Sequence, residues 1–154
     1  MLQMKLPTVV IRHRKENLKK CSLRGLESRS DFKFHRFPMQ EFPDLTGYVM
    51  LAMEGEELTE ADAHSGLLLI DATWRYAAQM CAAVDREILL PKRTLPQKYR
   101  TAYPRHQTDC PNPDEGLASV EALYLAFLIT GRDPTGLLDK YYWKNEFLQK
   151  NSLG

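Results

Sequence analysis

The sequence predicts an α/β domain, a mainly parallel sheet flanked by helices, and three observations predict it. Leu67-Leu68-Leu69-Ile70 is an apolar run without alternation, the pattern of a strand covered on both faces and therefore central in a parallel sheet. Directly after Asp71, the residues Trp74, Ala77, Ala78, Cys81 and Val84 recur at helical spacing. Glu121 to Gly131 is a second apolar helix. Handovers of this kind, from a strand or loop into a helix, are where α/β proteins collect ligands, because helix N-termini present unpaired N–H groups there. At 154 residues the chain suits a single domain spanning 1–154.

Pro7 to Ile11 reads as the first strand, His13 to Asn17 as a polar turn and Asn17 to Leu26 as a helix. Ser30 to Phe37 alternates around Lys33 and His35 as a second strand, and Pro38 and Pro43 bracket a connector. Tyr48 to Met53 is a short apolar run. Thr59 has the chemistry of an N-cap, with Asp62 at the capping-box position. Glu87 to Leu90, closed by Pro91, reads as another short strand. Lys92 to Gly116 is rich in Pro, Asn and Asp and reads as a long loop, a class of segment that is often functional. Gly131 is placed to cap the helix that opens at Glu121, and Pro134 to Lys150 reads as a last helix carrying Leu137, Leu138, Tyr141, Tyr142, Phe147 and Leu148.

No stretch of eighteen apolar residues occurs, and basic residues interrupt the apolar N-terminus, unlike a signal peptide, so a cytoplasmic protein is expected. Cys21, Cys81 and Cys110 lack the close spacing of a zinc or redox motif, so reduced thiols and no metal are expected. Met1 to Arg36 holds ten Lys and Arg against three acids, whereas Glu41 to Gly66 holds seven acids and no Lys or Arg. This segregation suits a polyanion on one face, or else two segments that lie side by side and neutralise each other. A second basic cluster, Lys92, Arg93, Lys98, Arg100 and Arg105, interleaves with Tyr99 and Tyr103. Basic and aromatic groups together suit phosphates and unstacked bases, which favours RNA.

Five strings occur in a fixed order: Lys19-Lys20-Cys21-Ser22; Gly66-Leu67-Leu68-Leu69-Ile70-Asp71-Ala72-Thr73-Trp74; Arg93-Thr94-Leu95-Pro96; Leu117-Ala118-Ser119-Val120-Glu121-Ala122-Leu123; and Tyr142 to Leu148 with Asn151. The set resembles the small-subunit ribosomal RNA aminocarboxypropyltransferase family, within the wider superfamily that holds the DTW-domain transfer RNA enzymes. The resemblance implies a SPOUT-like fold with a C-terminal trefoil knot. Residues 1–65 would then form an N-terminal α/β half with the basic segment, and 66–154 the half that binds S-adenosylmethionine. It also implies transfer of the 3-amino-3-carboxypropyl group to N3 of a uridine or pseudouridine-type base in ribosomal or transfer RNA, by a monomeric scaffold without metal or membrane.

The resemblance implies site residues as well. Asp71 would lie beside the aminocarboxypropyl chain, holding its ammonium, helping to deprotonate the base nitrogen, or both; an Asp between strand and helix is equally an N-cap. Trp74 and Ala77, one turn apart, would enclose the sulfonium methyl group, although Trp74 read alone is a core residue. Ser22, Ile70, Leu95, Glu115, Leu117, Ser119 and Ala122 would line the cofactor, several through backbone atoms; Ser119 is also a candidate N-cap, and Glu121 reads as structural. Lys19, Lys20, Arg24, Lys92, Arg93 and Arg100 are the expected RNA contacts. The loop after Pro96 departs from the family pattern, with Ala102-Tyr103-Pro104 followed by His106 to Pro113, and a lone loop His106 is ordinarily an exposed one. Two other readings are an RNA methyltransferase on the same scaffold and a non-catalytic RNA or ribosome-assembly module. No Gly-rich phosphate loop supports a P-loop or Rossmann site.

Overall fold

A computed structural model describes residues 5–15, 22–103 and 117–153, with the backbone but not the side chain of Trp74. The expectations for Lys19, Lys20, Cys21, Arg105, His106, Cys110 and Glu115 lie outside the described residues. Five strands, β1 (Thr8–His13), β2 (Phe32–Phe37), β3 (Tyr48–Glu57), β4 (Gly66–Asp71) and β5 (Lys92–Thr94), form one sheet in the order β2-β1-β4-β3-β5. Every neighbouring pair is parallel. Among the described residues three α-helices accompany it: α1 (Trp74–Glu87), α2 (Ser119–Thr130) and α3 (Lys144–Lys150).

Burial on both faces explains the unbroken apolar run of β4, which sits at the middle of the sheet. Leu67 and Leu69 pack with Val10, Leu123, Leu125 and Phe127 on the α2 face. Leu68 packs with Val9, Ile11, Met80 and Val84 on the α1 face. Strand alternation therefore divides one apolar sequence between two cores.

The polar ends of these elements are satisfied locally. Thr59 caps a 3-10 turn at Glu60–His64 and closes a capping box with Asp62, as the sequence predicts. Gly131 ends α2 in the left-handed region at φ 73°, and its N–H reaches Leu128 O. Glu121, fully buried, gathers four donors: Thr101 Oγ1 at 2.6 Å, Ala118 N at 2.7 Å, Ala102 N at 2.9 Å and Tyr141 Oη at 2.9 Å. That agrees with its structural reading. It ties the start of α2 to the 101–102 segment and to the chain ahead of α3.

Three element expectations are corrected. Glu87 to Leu90 is not a strand: α1 continues until Ile88 N donates to Val84 O, Leu89 is exposed, and the ladder begins only where Pro91 O accepts from Met50 N. The strand there is β5, short and charged because it pairs at the sheet edge. Pro134 to Lys150 is not one helix; Gly136 at φ 83° interrupts it, and successive three-residue turns carry Leu137, Leu138 and Tyr141 into the core before α3 starts. The segment before Leu26 is turn from Ser22 to Gly25, followed by a 3-10 turn at Leu26–Ser28.

Truncating Glu121 strands several buried donors at once, so Glu121→Ala should lower unfolding stability by about 3 kcal/mol or more. Glu121→Gln, which keeps the volume but turns one acceptor into a donor, should cost less. Urea denaturation of both variants checks the order, and equal stability of Glu121→Ala and wild type would contradict the role.

Candidate functional site

The strand order reverses between β1 and β4: the chain leaves β1 toward β2 on one side and leaves β4 toward β5 on the other. Such a switch point opens a crevice at the carboxyl ends of the two strands, the usual ligand position in open α/β sheets. The register there pairs Arg12 with Asp71.

Asp71 is 3% exposed and Arg12 8%. Arg12 Nε donates to Asp71 Oδ2 at 3.1 Å, and Ser119 Oγ donates to Asp71 Oδ1 at 3.0 Å. Arg12 Nη1 also reaches Glu27 Oε2 at 3.1 Å, and the guanidinium lies 4.8 Å from the centre of the Phe34 ring. Burial pushes the Glu27 carboxyl up, but its own backbone N–H, the Arg12 guanidinium and the backbone N–H of Gly25 together bring its pKa below the ordinary value. Ser22 Oγ accepts from Val120 N at 3.2 Å, at the first turn of α2. The ends of β1 and β4 and the start of α2 thus meet at one carboxylate, and the Ser22 turn is held to the same helix start.

Of the expected site residues, the structure joins Ser119 to Asp71 directly and places Ser22 against the next residue of α2, Val120. Ser119 is the first residue of α2, with Ala118 at the N-cap, so its hydroxyl serves Asp71 and does not cap the helix. Asp71 itself ends β4, and the N-cap of α1 is Thr73. Leu95 and Leu117 pack at the margin of the α2-face core, whereas Ile70 packs on the α1 face. Ser22, Ile70, Ala77, Leu95, Leu117, Ser119 and Ala122 are all half-buried, in contrast to the sealed interiors of β1 and β4. Trp74 and Ala77 occupy the first turn of α1 and the start of its second.

The expected RNA contacts scatter. Arg24 is exposed in the Ser22 to Gly25 turn. Lys92 Nζ is 3.0 Å from Asp85 Oδ2, and Arg93 Nε is 3.3 Å from Asp62. Arg100 Nη1 donates to Gln97 O at 2.6 Å. Arg12, His13 and Tyr76 were not among the expected residues. The signal for Arg12 was present, since it follows the β1 apolar run as Asp71 follows that of β4, but strand adjacency is needed to read it.

His13, next to Arg12, points to the other face of the sheet. Its ring stacks on Tyr76 at 4.0 Å with 14° between planes, and its Nδ1 accepts from Lys15 N at 3.1 Å. Burial, followed by Lys15 and Arg14, pushes its pKa below the ordinary 6.5. Burial and Lys33 push His35 the same way. The unfolded chain therefore takes up protons on falling through pH 6.5 that the folded chain refuses until lower pH, and stability declines through that window. Urea midpoints should be level between about pH 8 and 7 and fall below about pH 6.5, and the double variant His13→Gln/His35→Gln should flatten the fall above about pH 5. An undiminished fall in the double variant would show that other groups cause it.

No family model and no curated protein matches this chain. Among solved structures, it is similar to that of the SAM-dependent rRNA:acp-transferase Tsr3 from Vulcanisaeta distributa, with a TM-score of 0.72 and 23% sequence identity over 96% of this chain and 79% of that chain. The two chains share a fold.

Proposed function

We infer that the protein is an S-adenosylmethionine-dependent aminocarboxypropyltransferase acting on RNA, with N3 of a uridine or pseudouridine-type base as acceptor. One observation carries the reading: Asp71, at the end of the central strand, is fixed by Arg12 and Ser119 at the switch point of a sheet that shares its fold with an rRNA:acp-transferase. The SPOUT-like knotted C-terminus and the ribosomal RNA substrate belong to the same proposal, as does the single-domain, monomeric form.

The residues present fit the cofactor. Its aminocarboxypropyl end is a zwitterion, and the strand ends hold a carboxylate beside a guanidinium, next to the first turn of α2, where Val120 N donates to Ser22 Oγ. When bound, S-adenosylmethionine supplies an activated γ-carbon with methylthioadenosine as leaving group. Asp71 would hold the ammonium, and Ser119 and Arg12 would keep that carboxylate aimed. The pairing with Arg12 favours orientation over general base as the role of Asp71. Ser22, Ile70, Leu95, Leu117 and Ala122 would border the adenosine and methionine portions, and Trp74 and Ala77 would enclose the methyl group.

Calorimetric titration with S-adenosylmethionine should show binding that Trp74→Ala weakens about tenfold or more, the scale of a lost cation–π contact of 1–2 kcal/mol. Incubation of RNA with cofactor labelled either in the carboxypropyl chain or in the methyl group separates the chemistries. Label from the chain should enter RNA, and Asp71→Asn should slow it by about tenfold or more, the scale of one lost charge-assisted contact. Methyl label in RNA would indicate a methyltransferase instead, and no cofactor binding would leave a non-catalytic RNA module.

A further inference from the structure

On the α1 face of the same strand ends lies a cleft of about 260 Å³ lined by His13, Arg14, Lys15, Phe37, Tyr76 and Gln79, with Pro38 at its edge. This is smaller than the roughly 300 Å³ and upward of pockets for drug-sized ligands, and it suits a single flat group. Its floor is aromatic: His13 stacks on Tyr76, and Phe37 lies 6.0 Å from His13. Its rim is cationic. Lys15 Nζ sits 5.7 Å from the Tyr76 ring centre, and Arg14 and Lys15 are exposed, with no carboxylate partner among the described residues. None of the lining residues is acidic. Since Nδ1 of His13 accepts from Lys15 N, the neutral ring carries its proton on Nε2 as a donor.

A second cleft, at Arg24, Arg29 and Lys140, lacks an aromatic stack, includes Asp139, and has its Arg29 engaged by Asp31. The position within the sheet favours the first cleft. The basic N-terminal strands β1 and β2 form one edge, whereas Glu54, Glu56 and Glu57 lie on β3 toward the other. Among the described residues no ion pair joins the basic segment to the acidic one. A polyanion is therefore drawn to the edge that carries this cleft.

We propose that the His13–Tyr76 cleft is a ribonucleotide subsite, in which one unpaired base of a single-stranded RNA segment rests against the aromatic pair while Arg14 and Lys15 take the adjoining phosphates. Basic groups that track a backbone beside rings that receive bases are the general means of binding single strands. This assignment rests on the transferase reading for its purpose: Arg12 and His13 are consecutive at the end of β1, so the cleft and the Asp71 site lie at the same strand ends on opposite faces of the sheet, and an RNA strand anchored at His13 would pass round those ends to present a neighbouring base at Asp71.

The test measures binding of a fluorescent uridine-rich single-stranded oligoribonucleotide containing one fluorescent adenine analogue, across a salt series, with cofactor calorimetry in parallel. The double variant Arg14→Ala/Lys15→Ala should bind about tenfold more weakly, with a salt slope shallower by about 1.4, because two phosphate contacts are lost at about 0.7 each. Tyr76→Leu should lose about tenfold in affinity together with quenching of the analogue, and Tyr76→Phe should retain both. Arg86→Ala, a charge removed from the far end of α1, should bind like wild type. Cofactor affinity should be unchanged throughout. Wild-type RNA affinity and slope in the double variant would overturn the subsite, as would absence of RNA binding by the wild type. Equal competition by uridine monophosphate alone would overturn it in favour of a small-nucleotide site. Loss of RNA binding in these variants, in a protein that binds no S-adenosylmethionine, would keep the subsite and remove the transferase reading.

Discussion

Arg12 and Asp71 face each other across two adjacent parallel strands, and the rest of the site is arranged around the cost of burying them. Taking both charges out of water carries a desolvation penalty of several kcal/mol per ion, which their attraction offsets only when further hydrogen bonds occupy the remaining atoms. Here Ser119 supplies one from α2 and Glu27 another from the turn after Ser22. The Phe34 ring adds a face for the guanidinium. A buried pair of this type contributes little net stability compared with apolar residues of similar volume. Its effect is geometric. It fixes a carboxylate where β1, β4 and α2 converge, at a position almost closed to solvent.

The same constraint explains why Ser22 and Ser119 matter while contributing little surface. Val120 N is one of the first-turn donors of α2, and Ser22 Oγ engages it, so the turn that follows the basic segment is pinned to the helix that orients Asp71. Glu121 then secures the helix from beneath through Ala118, Thr101, Ala102 and Tyr141. One acid organises the scaffold and the other presents charge, although both stand at a handover into a helix. What separates them is the partner set: neutral donors surround Glu121, and a cation adjoins Asp71.

The sequence discloses elements whose stability is local or whose burial is symmetrical. The run Leu67 to Ile70, the 3.6-residue period after Trp74, the Thr59 box and the Gly131 cap are read correctly because each states its own environment. It misleads where different backbones share a period. Leu137, Leu138 and Tyr141 reach the core from stacked three-residue turns, whose spacing imitates a helix. Lys92 to Thr94 carries no apolar signal, because a short edge strand beside the exposed half of β3 does not need one. For the site, Asp71 and Ser119 were legible from motif, whereas Arg12 required the knowledge that β1 and β4 are neighbours.

Strand alternation gives the two faces of the switch point different chemistry from consecutive residues. Arg12 turns toward α2 and pairs with the Asp71 carboxylate, while His13 turns toward α1 and completes an aromatic stack. A shift of one residue in the β1 register would turn each side chain to the opposite face, taking Arg12 away from Asp71 and His13 away from Tyr76. Burial of Val9 and Ile11 on one face and Val10 on the other prevents that shift, since it would also exchange the side chains fitted to each core. The apolar core of β1 thus sets which chemistry appears on which side, and the positions of Arg12 and His13 follow from the packing of the three residues before them.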